Sequence, residues 1–596
     1  MLCAAALCAA PAQAALRLQE DGLAPHEVEA TRRLLDDAVA RLPTGMRAVV
    51  EDDIPVRWTD ALDARTHGRA ARDALLLNRA LLARLLDPAD GRARHDALAT
   101  VLHELAHFHD RRDGLSRDAR FLDLAGWQVR ATRFTTRVAG RGRDNRFVDR
   151  SPDPYELARP SEYFAVNVEH YLLDADYACR RPALQRYLRQ RLGDAPAIAT
   201  AACATDVPYV DAGEDGAGAV GSLDPARVYA IDYLLAEGNS QPMSRWGHSM
   251  LRLVVCAPGR TPGPDCRLDL AHHRVLSFRA FVDDVQISSW RGLTGRYPSR
   301  LFVLPMEQVI DEYTKVELRG LRSVPLRLQR DEIAAVIERT AQLHWSYDGR
   351  YYFLGNNCAA ETWKLLHDSV PRLAGQGLGS ITPTGLLRRL ENAGVADASV
   401  LDDPDQALRL GYRFESQGAY FGQVYATAKA SLGLPYRSVG QWMDLAPQQR
   451  RPWLERADLR GSAALLVLEM AAQRRAQLRV QDLLKRRYLA SDRSKGNRPD
   501  PVRRLLQESA WLGQPSRLLE GDGYGLPQAD ERSALQARGA TLREDLKQAR
   551  AELERGAREW MGVEQRERLD AIAANTDLLG ARLRALHAGE GGLRLP

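Results

Sequence analysis

The apolar positions in the first third of the chain recur with the spacing of an α-helix. The run EVEATRRLLDDAVARL, residues 27–42, places its apolar side chains three and four positions apart, so they share one helix face. Similar runs continue to about residue 205. We therefore predict a helix-rich N-terminal domain over residues 15–205.

A segment rich in glycine and aspartate separates this domain from a region with a different hydrophobic pattern. Residues 206–226 lack a hydrophobic period, and we interpret them as a linker. Residues 227–395 contain apolar runs of strand length and then two helical runs, which together predict an α+β domain. The strand-like runs are RVYAIDYLLAEG, HSMLRLVVC, RVLSFRAFV and SRLFVLPM.

The last third, residues 396–596, is again helical in pattern. Residues 532–562 alternate charges around a thin apolar stripe, which is typical of a long exposed helix or a helical hairpin. The sequence does not decide whether these helices brace the other domains, lie on the membrane surface or bind a partner. A chain of 596 residues is too long for one core, so we predict an α+β multidomain protein.

Charge and the N-terminal residues indicate where the protein acts. The net charge of +5 comes from 83 basic and 78 acidic residues spread along the chain, which argues against nucleic acid as a partner. Residues 1–14 end in Ala-Gln-Ala and resemble a signal peptide, although the missing basic segment favours a true start upstream. We expect an exported, periplasmic protein that is soluble or peripherally associated with the membrane.

The cysteines fit an oxidising compartment. Five remain once the signal peptide is removed, an odd number. Cys256 and Cys266 flank a Pro/Gly-rich loop between two apolar runs, and Cys179 and Cys203 flank a short basic helix, so we predict two disulfides. Cys358 is left over, which indicates a functional thiol or, alternatively, a buried inert one.

The stretch TVLHELAHFHD has the spacing of a zinc-binding helix. His103 and His107 are four residues apart and share a helix face, so both imidazoles can bind one ion. Glu104 lies beside them and can take a proton from water. We expect Glu162 to be a third ligand and Asp110 to orient one of the histidines.

Two stretches of this region, HELAHFHDRRDG and DPYELARPSEYFAVNVEHYL, resemble the Mlc titration factor A metallopeptidases over residues 85–192. The resemblance implies a gluzincin-like zinc domain with His103, His107 and Glu162 as ligands and Glu104 as base. It also implies that Tyr155 donates a hydrogen bond to the transition state. The alternatives are a helix with structural histidines, or a metal site without peptidase activity.

A second site is predicted around GNNCAAETWKLL. Asn357 can cap a helix that begins at Cys358, and a thiol at a helix N-terminus has its thiolate stabilised and lies near N–H groups that can hold an oxyanion. A cysteine nucleophile needs a base, and His248 at the start of an apolar run is the predicted one. His272, His273 and Ser277 are the candidates for orienting it.

The segment from YAIDYLLAEGNSQPMSRWGHSMLRL to GNNCAAETWKLL resembles the Lnb N-terminal periplasmic domain, a family associated with lipoprotein N-acylation in some bacteria. The order of histidine before cysteine is that of circularly permuted, papain-like NlpC-type enzymes. The resemblance rests on Ser244-Arg245, Gly247-His248 and Asn357-Cys358, and it implies an acyl-thioester on Cys358 with His248 as base.

These patterns together predict an exported envelope enzyme. Its Cys358–His248 dyad would perform acyl transfer or amide and ester hydrolysis on an envelope lipid, a lipoprotein or a cell-wall peptide. The zinc-binding domain would be accessory. One alternative is a zinc metallopeptidase whose cysteine domain binds substrate; the other is a non-catalytic envelope scaffold with degenerate enzyme folds.

Overall fold

The computed structural model describes residues 16–589, except 128–143, 196–201, 214–217, 239–244, 281–296, 353–354, 490–499 and 520–522. The described residues form a helix-rich N-terminal domain with a small sheet, a central α+β domain and a helical C-terminal region. The prediction of an α+β multidomain protein is confirmed at this level.

The N-terminal domain contains a four-stranded sheet that the helical pattern did not reveal. Its strands are too short to show a period of two in the sequence, and their order is β1-β2-β4-β3, with β3 antiparallel to β4 at one edge. The elements are β1 (Arg17–Leu18), α1 (Pro25–Arg41), β2 (Pro55–Thr59), β3 (Gly68–Ala70), β4 (Leu75–Asn78), α2 (Arg79–Leu85), α3 (Ala93–Asp113), α4 (Ala119–Ala125), α5 (Pro160–Leu173), α6 (Tyr177–Arg180) and α7 (Pro182–Leu192).

Helix α3 positions the predicted metal ligands. Its apolar face, including Val101, Leu102 and Leu105, is buried in the domain core, and α5 packs against it. Gly114 ends the helix with a φ of 68°, a left-handed conformation that glycine adopts without strain. Pro160 starts α5, where the fixed φ of proline suits the first helical turn.

The central domain is built on a seven-stranded antiparallel sheet of order β12-β10-β9-β8-β7-β11-β13. The segment interpreted as a linker contains a two-stranded hairpin, β5 and β6, whose apolar residues pack on the central and C-terminal parts. The elements are β5 (Val207–Val210), β6 (Val220–Leu223), β7 (Val228–Ala236), β8 (His248–Val255), β9 (Arg274–Ala280), β10 (Tyr297–Pro305), α8 (Met306–Ile310), β11 (Leu321–Pro325), α9 (Arg330–Ser346), β12 (Gly349–Tyr351), α10 (Cys358–Ser369), α11 (Pro371–Ala374), α12 (Pro383–Asn392) and β13 (Arg413–Phe414).

The two faces of this sheet pack against different helices. Side chains alternate between faces along a strand. Leu251 and neighbours of the same parity form one core with α9, α10 and α12, which we call the first face. Met250 and neighbours of the opposite parity form another core with α8 and Tyr313 of the following π-helical segment, the second face.

The C-terminal region braces both preceding domains. Trp511 and Leu535 pack with Val210 and Trp345 of the central domain, and Tyr524 joins the N-terminal core. A bundle around Trp442 is formed by the helices over residues 417–432, 439–444, 447–455, 459–489 and 563–589. The helices are α13 (Pro404–Arg409), α14 (Gln417–Leu432), α15 (Val439–Asp444), α16 (Pro447–Glu455), α17 (Leu459–Leu489), α18 (Asp500–Gly513), α19 (Ala529–Trp560) and α20 (Val563–Gly589).

Both predicted disulfides are present. Cys179 bonds to Cys203, and Cys256 bonds to Cys266. Cys358 is a buried free thiol. The structure therefore confirms the predicted pairing of these five cysteines.

Candidate functional site

The N-terminal domain brings the three predicted metal ligands together. Because His103 and His107 lie one turn apart on α3, both imidazoles face the first turn of α5, where Glu162 lies. One Glu162 carboxylate oxygen is 3.1 Å from Nε2 of His107 and 3.6 Å from Nε2 of His103. One ligand atom from each residue lies within 4.8 Å of the other two. Two imidazoles and one carboxylate with this convergence can hold a zinc ion.

Glu104 lies between this cluster and the edge strand β3. Its carboxylate accepts a hydrogen bond from the N–H of Ala70, and it is 7% exposed. The close approach requires Gly68, because a Cβ there would lie 2.6 Å from Cγ2 of Thr100. Burial raises the pKa of Glu104, against the opposing effect of the neighbouring histidines. The residue is thus a buried carboxylate beside the ligands, as a general base requires.

Glu169 is a site residue that the sequence analysis missed. Its carboxylate oxygen lies 3.5 Å from Nδ1 of His103, the nitrogen that does not face Glu162. The predicted partner, Asp110, accepts instead from the N–H of Ser116 at 2.6 Å and holds the turn after α3. A signal for Glu169 existed, since it follows Glu162 by seven residues and two helical turns return a side chain to the same face.

The carboxylates control the protonation of His103. Burial alone would lower its pKa, but Glu162 and Glu169 outweigh burial and raise it to about 9. Burial would raise the pKa of Glu162, but the two histidines lower it to about 2. His103 and Glu162 thus shift the pKa values of each other in opposite directions.

Tyr155 stands at the opening of the site. It lies in the 3-10 segment Pro154–Ala158, and its side chain is half exposed. Burial, followed by the charges of Glu162 and Glu104, raises the pKa of its phenol, which therefore stays a hydrogen-bond donor at neutral pH. A cleft of about 1080 Å³ contains the metal ligands, Glu104 and Tyr155. The predicted zinc-site residues therefore converge on a space large enough for a substrate.

Cys358 begins α10, and Asn357 caps that helix, as predicted. The Asn357 side chain accepts from the N–H groups of Ala359 at 3.1 Å and Ala360 at 3.2 Å, and the N–H of Cys358 lies 3.4 Å from the hydroxyl of Tyr351. Burial, with the adjacent sulfur, raises the pKa of Tyr351 well above its ordinary value. The N–H groups that would form an oxyanion hole thus have partners already.

Among the contacts of the described residues none joins Cys358 to His248, and the predicted dyad stays a prediction. Ser249 reaches Thr362 of α10 on the first face, with 3.5 Å between their hydroxyl oxygens. His248 is the preceding residue, so its side chain points to the second face. There it stacks on Tyr313, with ring centroids 6.2 Å apart, and its Nε2 lies 3.1 Å from Oγ of Ser277.

The charge state of His248 follows from this position. Burial, then the positive charges of Arg279 and Arg319, lowers its pKa to about 3. Of the three candidates for orienting His248, the structure selects Ser277. His273 instead bonds to Arg252, with 2.9 Å between Nη2 and Nδ1, and to the carbonyl of Cys266.

Two further residues of the predicted cysteine site, Ser244 and Arg245, precede His248 in the chain. The guanidinium of Arg245 lies over the ring of Trp246, 5.4 Å from its centroid. Ser244 lies outside the described residues.

The family comparisons assign the N-terminal domain and the central domain to two different family models. Residues 219–393 match the Lnb N-terminal periplasmic domain. Residues 15–114 and 109–201 match a domain of unknown function, DUF7844, and the resemblance to the Mlc titration factor A metallopeptidases stays a prediction. Comparison with the curated proteins and with the solved structures found no match.

The Lnb match bears on location. A periplasmic domain supports an envelope or periplasmic location for the protein, as the sequence predicted. In the described part of the chain, no helix combines the length and apolar character needed to cross a bilayer.

Proposed function

We propose that the protein is an envelope hydrolase that cleaves amide bonds of peptides in the cleft of its N-terminal domain. The observation that carries this proposal is the convergence of His103, His107 and Glu162 beside the buried carboxylate of Glu104. This is the zinc-peptidase alternative. It is favoured over the cysteine dyad because the side chain of His248 points to the second face of the sheet, whereas the helix that Cys358 begins packs on the first face.

The ligand set fits zinc. Two neutral imidazoles and one carboxylate, with a position left for substrate or water, are the donors of a catalytic zinc site. His103, His107 and Glu162 would hold the ion, which when bound supplies Lewis acidity to the reacting carbonyl. Glu169 would fix the ring of His103 from the other side through Nδ1.

The other cleft residues have separable roles in this proposal. Strand β3 forms one wall of the cleft in which a bound peptide would lie. Glu104 takes the proton from the attacking water and delivers it to the leaving amine. The phenol of Tyr155 donates a hydrogen bond to the oxygen that becomes negative as water adds to the carbonyl.

The first experiment measures metal content and peptide hydrolysis together. We expect the purified protein to carry about one zinc per chain, since its three ligands are those of a catalytic site. Glu104→Gln should keep the metal and lose hydrolysis, because the amide cannot take the proton. His103→Ala should lose both. A Glu104→Gln protein with wild-type hydrolysis, or a wild-type protein without metal, would refute the proposal.

A cysteine-dependent acyl transfer is the second candidate. It is favoured by the Lnb match and by the free thiol at the start of a helix. Peptide and acyl-ester substrates should be compared for Glu104→Gln and Cys358→Ser. Loss of ester turnover in Cys358→Ser alone would assign a reaction to the thiol. Absence of turnover of every substrate by the wild type as well as by both variants would favour the scaffold alternative.

A further inference from the structure

The acidic side chains of the cleft, other than those of the reaction, already have partners. Each of these carboxylates contacts a residue of the protein itself. Asp96 pairs with Arg84 at 2.6 Å, Asp110 and Asp153 accept backbone N–H groups, and Glu169 contacts His103.

The arginines that line the same cleft are differently placed. Arg65 and Arg69 belong to the segment that leads into and forms the edge strand β3, and both are exposed. Among the described residues, neither has an acidic partner. Arg111 gives its guanidinium to the carbonyl oxygens of Ala70 and Ala71, at 2.9 and 3.0 Å, and so fixes the end of the strand.

We infer that the cleft selects peptides that carry a carboxylate near the bond to be cleaved, and that Arg65 and Arg69 bind this carboxylate. A peptide bound in the cleft would lie near both arginines, and the planar guanidinium group presents donors that match a carboxylate. The inference rests on the proposed function and adds its substrate class. Each exposed pair is worth up to about 1 kcal/mol, which is about a fivefold preference per arginine.

The preference is tested with matched peptides. The two peptides of a pair are identical except at one position, where one has glutamate and the other has glutamine. Different pairs place this position before or after the cleaved bond. We expect the wild type to prefer glutamate at one or more positions in kcat/KM. In Arg65→Ala or Arg69→Ala, the ratio of kcat/KM for the glutamate peptide to that for its glutamine partner should fall toward one. Arg69→Lys should restore part of the preference. Arg33→Ala, an exposed arginine of α1 outside the cleft, is the matched control.

A binding measurement separates this inference from the proposed function. Fluorescence anisotropy of the same peptides on Glu104→Gln protein reports affinity without turnover. Tighter binding of the glutamate peptides that disappears in the arginine variants and weakens with salt supports the inference even if no peptide is hydrolysed. Equal binding of glutamate and glutamine peptides overturns it, whether or not peptides are cleaved.

Discussion

At the scale of single residues, His103 is held between two carboxylates on one helix. Glu162 faces its Nε2 and Glu169 faces its Nδ1. The second contact fixes the ring orientation and raises the basicity of the ligand, which strengthens its bond to a metal.

We therefore expect Glu169→Gln to weaken zinc binding by about ten- to a hundredfold, in a competition with a chromophoric chelator. Glu29→Gln, an exposed glutamate of α1, is the control and should bind zinc as the wild type does. If Glu169→Gln binds zinc as tightly as the wild type, Glu169 does not support the metal site.

The position of His248 leads to a second prediction about a single residue. Because its imidazole lies on the face of the sheet away from α10, we expect that it does not take the thiol proton of Cys358. We expect His248→Ala to leave the rate of Cys358 alkylation by iodoacetamide unchanged, whereas Tyr351→Phe, which removes the hydroxyl beside the thiol, should alter it. A slower reaction in His248→Ala alone would restore the dyad.

At the scale of elements, His344 ties helix α9 to two strands. Its Nε2 accepts from the N–H of Val210 in β5 at 2.9 Å, and its Nδ1 lies 3.2 Å from the carbonyl oxygen of Leu301 in β10. Accepting at Nε2 requires the neutral ring. Burial lowers the pKa of His344 from 6.5 to about 4, so folding disfavours its protonation.

The sign of the pH effect follows. His344 binds a proton near pH 6.5 in the unfolded chain and only near pH 4 in the folded chain. Its contribution to the free energy of unfolding therefore falls as the pH falls from 6.5 to 4. His344 should account for about 1.4 kcal/mol per pH unit there. Urea unfolding at pH 7 and pH 5, followed by tryptophan fluorescence, should show a smaller loss for His344→Gln than for the wild type. The exposed His26→Gln should behave as the wild type, and an equal loss in His344→Gln would contradict this account.

At the scale of the whole molecule, Arg339 joins the N-terminal and central domains. Its guanidinium donates to the carbonyl oxygens of Asp123 and Leu124 at the end of α4, at 2.6 and 3.0 Å, and to the carboxylate of Asp368 in α10 at 2.8 Å. The residue is 3% exposed. Its removal takes a charged donor from the buried Asp368 carboxylate, which His367 also contacts, and from the two carbonyl groups.

Arg339→Met should therefore lower the free energy of unfolding by about 3–5 kcal/mol, measured by urea denaturation. The same interface supplies a control, because Arg186 pairs with Glu338 at 2.8 Å with more than half of its side chain exposed. Arg186→Met should cost no more than about 1 kcal/mol. Similar costs for the two variants would show that burial of Arg339 contributes nothing.

The sequence by itself determined the features that depend on neighbours along the chain. The turn of a helix places His103 beside His107, and the same local geometry makes Asn357 a cap for the helix that begins at Cys358. The cysteine pairs could be predicted because few residues separate the partners. The strands of the N-terminal sheet could not, since two to five residues are too few to show a period.

The tertiary structure alone decided which groups meet. Glu169 reaches His103 only because α5 crosses α3. The face of His248 could not be predicted, because both faces of the central sheet are apolar: Leu251 packs under α10, and its neighbour Met250 packs under α8. Alternation along β8 fixes that His248 and Ser249 point in opposite directions, but only the packing of helices on the two faces decides which of them meets the cysteine helix.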